Sequence, residues 1–123
     1  KETETAIMEA FQNASPQEII SLVLDQSLQF LTKHKAKWRL VTLFGFKMKD
    51  FPYIHDIMIQ KYIGYVQLFT GVFMQLNVEN PEMEAKLFAA TLDGIAMQYL
   101  MFNDDEYPLE EKYQGLKNKY KND

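Results

Sequence analysis

The chain has 123 residues, of which 47% are hydrophobic and 24% charged, a balance that predicts a folded domain and excludes an intrinsically disordered chain. It has no cysteine and only two histidines, which excludes disulfide frameworks, iron–sulfur clusters, zinc held by cysteine and three-histidine metal sites. The net charge of −4 argues against nucleic acid held by the field of this chain alone.

Helical periodicity runs along the chain, and each of the four prolines stands where a helix is expected to begin, because proline is tolerated in the first turn. The segment 15–18, Ser-Pro-Gln-Glu, has the pattern of a capping box, and Asn80 precedes Pro81 as a second cap. No alternating run of Val, Ile and Thr indicates a strand. We therefore expect an all-α fold, a six-helix bundle with helices over 5–12, 16–31, 36–44, 52–76, 81–102 and 108–120.

The predicted helix over 81–102 is apolar almost all round, with Lys86 and Asp93 forming a narrow polar strip. Such a helix has to be covered on two sides. Either the helices of the same chain wrap it, or one side lies in the core and the other in a dimer seam. Ala85, Ala89 and Ala96 share one face, where a partner helix could approach closely, and this favours the seam.

Several segments occur in an order that is typical of one protein family. The capping box at 15–18 opens a long helix that ends in a Lys-, His- and Trp-rich bend at 33–39, and the long helix over 52–76 follows. Then come the segment 89–100, AATLDGIAMQYL, an acidic loop at 103–106, and Tyr-Pro-Leu at 107–109. Together these features resemble the C-terminal regulatory domain of the TetR family of bacterial transcriptional regulators, over essentially the whole chain.

The resemblance implies a cytoplasmic homodimeric repressor whose effector domain spans 14–123, with 1–13 as the end of a connecting helix. DNA would be bound only through an N-terminal helix-turn-helix module, which we do not find in this sequence. The domain would bind a small effector and dimerise through its last two helices. The expected interface residues are Ala85, Ala89, Leu92, Ala96, Tyr99, Leu100, Tyr113 and Leu116.

The expected effector site combines periodicity with the resemblance. On the helix over 52–76, a stripe of large side chains has a spacing that is typical of a plain core as well as of a pocket. This stripe consists of Met58, Tyr62, Tyr65 and Phe69. The resemblance adds four residues from helices that the family places around its ligand, namely Trp38, Phe44, Phe88 and Thr91. Seven methionines would make such a cavity adaptable, so we expect a hydrophobic or amphipathic effector.

Three further features leave alternatives open. Gly64 and Gly71 lie one heptad apart and share a face, which indicates either a close helix crossing or room for a ligand. Gln26 and Gln98 are polar residues at otherwise apolar helical positions, and they either orient a ligand or lie exposed. His34, in the basic bend, belongs either to an anion site or to a solvated helix end.

The sequence predicts no enzyme, no catalytic residue, no metal site and no cofactor. It contains no Gly-rich phosphate loop and no HExxH motif, and His55 and Asp56, as chain neighbours, are expected to point to different helix faces. No apolar stretch is long enough to span a membrane. Two other functions remain open, a structural helical interaction module without a ligand and a small-molecule carrier.

Overall fold

Helices make up the architecture of this chain in the computed structural model, which describes residues 13–47, 50–102 and 106–121. Within these ranges there are five helices and no strand, so the predicted all-α class is confirmed. The helices are α1 (Pro16–Lys33), α2 (Lys35–Gly45), α3 (Pro52–Gln75), α4 (Pro81–Met101) and α5 (Leu109–Lys119). The sixth expected helix, over 5–12, lies outside the described residues.

Two of the helices, α1 and α4, begin where side-chain caps satisfy N–H groups of the first turn. At α1, the backbone N–H of Glu18 donates to Ser15 Oγ at 3.2 Å, and the backbone N–H of Ser15 donates to Glu18 Oε1 at 3.3 Å. At α4, the backbone N–H of Met83 donates to Asn80 Oδ1 at 3.3 Å. The predicted capping box and asparagine cap are therefore both confirmed, and they fix the first turns of the two helices.

The core lies where the second half of α3 packs against α4. Phe69 and Phe73 of α3 and Phe88 of α4 are each at most 1% exposed, and the rings of Phe69 and Phe88 are 4.9 Å apart. Tyr120 closes this cluster, with its ring 5.1 Å from that of Phe73. The first half of α3, residues 52–65, differs because every residue in it is at least partly exposed. The two halves of α3 therefore have different surroundings.

Helix α4 is covered mainly by its own chain, since α2, α3 and α5 all pack against it. The alanine face that favoured a dimer seam is part of this covered surface, because Ala85, Ala89 and Ala96 are 1%, 6% and 5% exposed. The expectation that this face meets a second subunit is thus replaced by packing within the chain. A different face of α4 stays open, where Leu87 is 56% exposed.

Helix α5 is held against α1 by polar contacts as well as by packing. The Tyr113 hydroxyl and Ser27 Oγ are 2.7 Å apart, and Lys117 forms an ion pair with Asp25. Tyr113 is only 2% exposed, so its hydroxyl has little access to water. The contact with Ser27 supplies the hydrogen-bond partner that this buried hydroxyl needs. These contacts bring the end of the chain alongside its first described helix.

Candidate functional site

A cavity of about 340 Å³ opens between α1, α2, α3 and α4, within the range typical of small-molecule sites. Its walls are largely apolar and aromatic, and they come from four separate parts of the chain. The lining residues are Ser27, Phe30, Leu31, Trp38, Met58, Lys61, Tyr62, Tyr65, Ala89, Leu92, Asp93 and Ala96. The cavity forms between the exposed first half of α3 and the second half of α4.

Trp38 supplies the wall from α2. Its indole Nε1 is buried and has no hydrogen-bond partner among the described residues. Its ring packs edge-on against Phe30 of α1, with the ring centroids 5.5 Å apart. A buried donor without a partner costs about 1–3 kcal/mol.

Helix α3 supplies the facing wall, where Met58, Tyr62 and Tyr65 recur every three to four residues. The Tyr65 ring also packs on Phe69, with the ring centroids 4.8 Å apart. Burial, with smaller effects from Tyr113 and Asp93, raises the pKa of Tyr65 to about 12. Tyr65 therefore keeps its proton at neutral pH and presents a neutral hydroxyl.

Lys61 and Asp93 are the two charged residues in the described lining of the cavity. Both are exposed, as are Met58 and Tyr62 of the apolar wall. Burial raises the pKa of the Asp93 carboxyl, because loss of water disfavours its charged form. Lys86, the other residue of the predicted polar strip of α4, does not line the cavity. Its Nζ pairs with Glu82 Oε1 at 3.2 Å, so the two residues of the strip have different surroundings.

The structure brings together four of the eight predicted ligand contacts. The residues that line the cavity are Trp38, Met58, Tyr62 and Tyr65. Phe69 and Phe88 lie in the core, at 0% and 1% exposure. Phe44 stacks on Phe51 at the surface, with the ring centroids 5.2 Å apart, and Thr91 lies in a separate shallow groove between α4 and α5.

Sequence reasoning missed the contribution of α1 and the two charged residues. Ser27, Phe30 and Leu31 belong to a helix whose periodicity predicts a core face and indicates no ligand. Asp93 carried the one available signal, because an acid inside the otherwise apolar segment 87–97 needs an explanation.

The predicted dimer contacts are mostly buried inside the single chain. The buried ones are Ala85, Ala89, Leu92, Ala96, Tyr99 and Tyr113, each at most 8% exposed. Leu100 and Leu116 are only partly exposed. A second subunit that approaches α4 would therefore meet the neighbouring exposed residues instead.

Of the two alternatives for the glycines of α3, a close helix crossing is not found among the described residues. A Cβ atom placed at Gly64 or Gly71 would have no described side chain or neighbouring helix within 4 Å. The polar residues that could orient a ligand also lie elsewhere, because Gln26 is exposed and Gln98 Oε1 accepts hydrogen bonds from Tyr107 and Lys112. The His34 ring is exposed and lies 5.4 Å from that of Phe30.

His55 and Asp56 lie near each other at the start of α3, with 3.7 Å between His55 Nδ1 and Asp56 Oδ1. Their side chains are 48% and 81% exposed, and the distance is too long for a hydrogen bond. The pair is thus a weak surface contact.

Metal-binding groups and membrane-spanning helices are both absent from the described residues. In the ranges 13–47, 50–102 and 106–121, no three acidic or histidine side chains are grouped so that they could hold a metal ion. Over the same residues, none of the helices combines the length and apolarity that a membrane crossing needs. Compared with protein-family models, curated proteins and solved structures, the chain matches none of them.

Proposed function

We propose that this chain is the effector-binding and dimerisation domain of a TetR-like cytoplasmic repressor, and that the cavity holds a small hydrophobic or amphipathic effector. One observation carries the proposal. The cavity offers a bound molecule largely apolar and aromatic walls that come from four helices, with Trp38 among them. A hydrophobic or amphipathic ligand would gain contact with these walls.

The dimer in this proposal forms through an exposed stripe of α4. Its members recur three or four residues apart, which places them on one helix face, and the groove between α4 and α5 runs beside them. The stripe consists of Leu87, Thr91, Gly94, Gln98 and Met101. Small residues at its centre would let the same helix of a second subunit approach closely, while Leu87 and Met101 would bury apolar surface at its ends.

Effector binding and dimer geometry would be coupled through α4. One face of α4 lines the cavity at Ala89, Asp93 and Ala96, and another face carries the dimer stripe. An effector that prefers one packing of α3 against α4 would shift the population towards that packing. In a dimer, this shift would change the spacing of DNA-binding modules joined to the two subunits.

A titration followed by the emission of Trp38, the single tryptophan of the chain, tests the effector site. We use 4-phenylbutan-1-ol as the probe, because it combines an apolar body with one polar head. The probe is expected to change the emission in a saturable way. Ala96→Leu, which adds volume to the cavity wall, is expected to weaken binding, while Ala36→Leu, at an exposed position outside the cavity, is expected to leave it unchanged.

Native mass spectrometry of the same protein tests the dimer and detects molecules that copurify with it. The proposal predicts a mass near twice 14.5 kDa with a reproducible small adduct. An emission that does not respond to the probe, together with an Ala96→Leu variant indistinguishable from the wild type, would reject the effector site.

A structural interaction module is the second candidate, and the exposed apolar face of α2 favours it. Leu40, Leu43 and Phe46 are 68%, 60% and 69% exposed, and such patches often mark a protein contact. This candidate predicts a bare chain without adduct and no response of Trp38 to the probe. The two measurements above therefore separate it from the effector domain.

A further inference from the structure

The carboxylate of Asp93 has no counter-ion among the described residues. No hydrogen bond or ion pair joins it to any of the described residues, and Lys61, which lines the same cavity, does not pair with it. Three other acids on α1 and α4 have a lysine partner, while Glu18 of α1 accepts a hydrogen bond from the backbone of Ser15. These pairs are Asp25 with Lys117, Glu82 with Lys86 and Glu84 with Lys119. Asp93 thus lines the cavity without a lysine partner among the described residues.

The aromatic walls of the cavity would stabilise a positively charged group near the Asp93 carboxylate. Four aromatic side chains line the cavity, Phe30, Trp38, Tyr62 and Tyr65, and the face of an aromatic ring attracts a cation. The same attraction operates elsewhere in this chain, where Lys35 Nζ lies 4.3 Å from the centroid of the Tyr99 ring. A positively charged group near Asp93 would therefore gain from the carboxylate and from the rings together.

We propose that the effector is an organic cation, a protonated amine or quaternary ammonium on an apolar body, with Asp93 as its counter-ion and the rings of Trp38, Tyr62 and Tyr65 around it. This inference rests on the proposed effector site and names its ligand class. Among the residues that line the cavity, only Lys61 would attract an anionic ligand. The charge of Asp93 and the negative faces of the aromatic rings would repel it. Burial also raises the pKa of Asp93, and a bound cation would restore its charged form.

Three probes with one body and different heads test the charge preference. They are 4-phenylbutylamine, 4-phenylbutan-1-ol and 4-phenylbutanoate, titrated at neutral pH against the full chain and followed by Trp38 emission and by calorimetry. The amine is expected to bind about tenfold more tightly than the alcohol, as a charge-assisted hydrogen bond would give. Asp93→Asn is expected to remove this advantage, while Glu82→Gln, which removes an acid on the same helix outside the cavity, is expected to retain it.

The outcomes separate this inference from the proposed function. If the alcohol binds and the amine binds no more tightly, the cation inference is overturned and the effector site stands. If 4-phenylbutanoate binds most tightly and Lys61→Gln weakens it, the site selects anions and the inference is wrong. If none of the three probes binds, the effector site itself is rejected. Circular dichroism of each variant confirms that the helices are retained.

Discussion

Three tyrosine hydroxyls lie partly inside the bundle, and burial raises the pKa of each above its ordinary value. For Tyr65 the pKa rises from 10.0 to about 12. The folded state therefore holds this proton more tightly than the unfolded chain does. Its contribution to stability is complete below pH 10.0 and is lost as the pH rises through about 12.

We expect the free energy of unfolding to fall as the pH rises above about 10, and Tyr65→Phe to reduce the steepness of this fall. Urea denaturation at a series of alkaline pH values measures it. Tyr53→Phe is the control, because it removes the same hydroxyl from a side chain that is 78% exposed. The comparison between the two variants isolates the contribution of Tyr65. Equal pH slopes for the two variants would contradict the prediction.

At the scale of single helices, the sequence predicted well what depends on neighbours in the chain. The capping box needs only Ser15 and Glu18, three residues apart, so its pattern is complete in the sequence. The start of α5 was predicted one residue early, because Pro108 precedes the helix and Leu109 is its first residue. Local chemistry thus determines where helices begin to within a residue.

The site depends on which helices meet, and here prediction from sequence reached only part of the answer. Periodicity identified Met58, Tyr62 and Tyr65 because they lie on one face of one helix. It could not separate them from Phe69, one turn further, because only the packing of α4 decides that Phe69 is covered. Whether Asp93 has a lysine partner depends on how the four helices around the cavity pack, which the sequence pattern does not show.

Gly64, in the exposed half of α3, gives a prediction at the same scale. Glycine inside a helix costs about 1 kcal/mol relative to alanine, and a Cβ at this position would have no described side chain or neighbouring helix within 4 Å. We therefore expect Gly64→Ala to raise the free energy of unfolding by about 1 kcal/mol, measured by urea denaturation. A loss of stability would instead show that another surface approaches Gly64 in solution.

For the whole molecule, the main asymmetry is that apolar surface is concentrated on α2, the first half of α3 and one face of α4. Tyr53, Leu43 and Met101 are 78%, 60% and 79% exposed. Contiguous apolar surface of this kind marks sites of contact with a ligand or another protein. In the proposed domain, the effector would contact the apolar surface of the first half of α3, and a second subunit would contact the α4 stripe.

The α4 stripe gives the prediction for the assembled molecule. Gly94 lies at its centre, beside the groove to α5, and a Cβ there would have no described side chain or neighbouring helix of the same chain within 4 Å. Gly94→Glu should therefore fold as a single chain, but it would place an unpaired charge in the dimer interface.

Gly64→Glu makes the same substitution on α3, away from the stripe, and serves as the control. Sedimentation equilibrium should give a mass near twice 14.5 kDa for the wild type and for Gly64→Glu, and a shift towards 14.5 kDa for Gly94→Glu. A wild-type monomer, or a Gly94→Glu variant as dimeric as the control, would show that α4 does not form the interface.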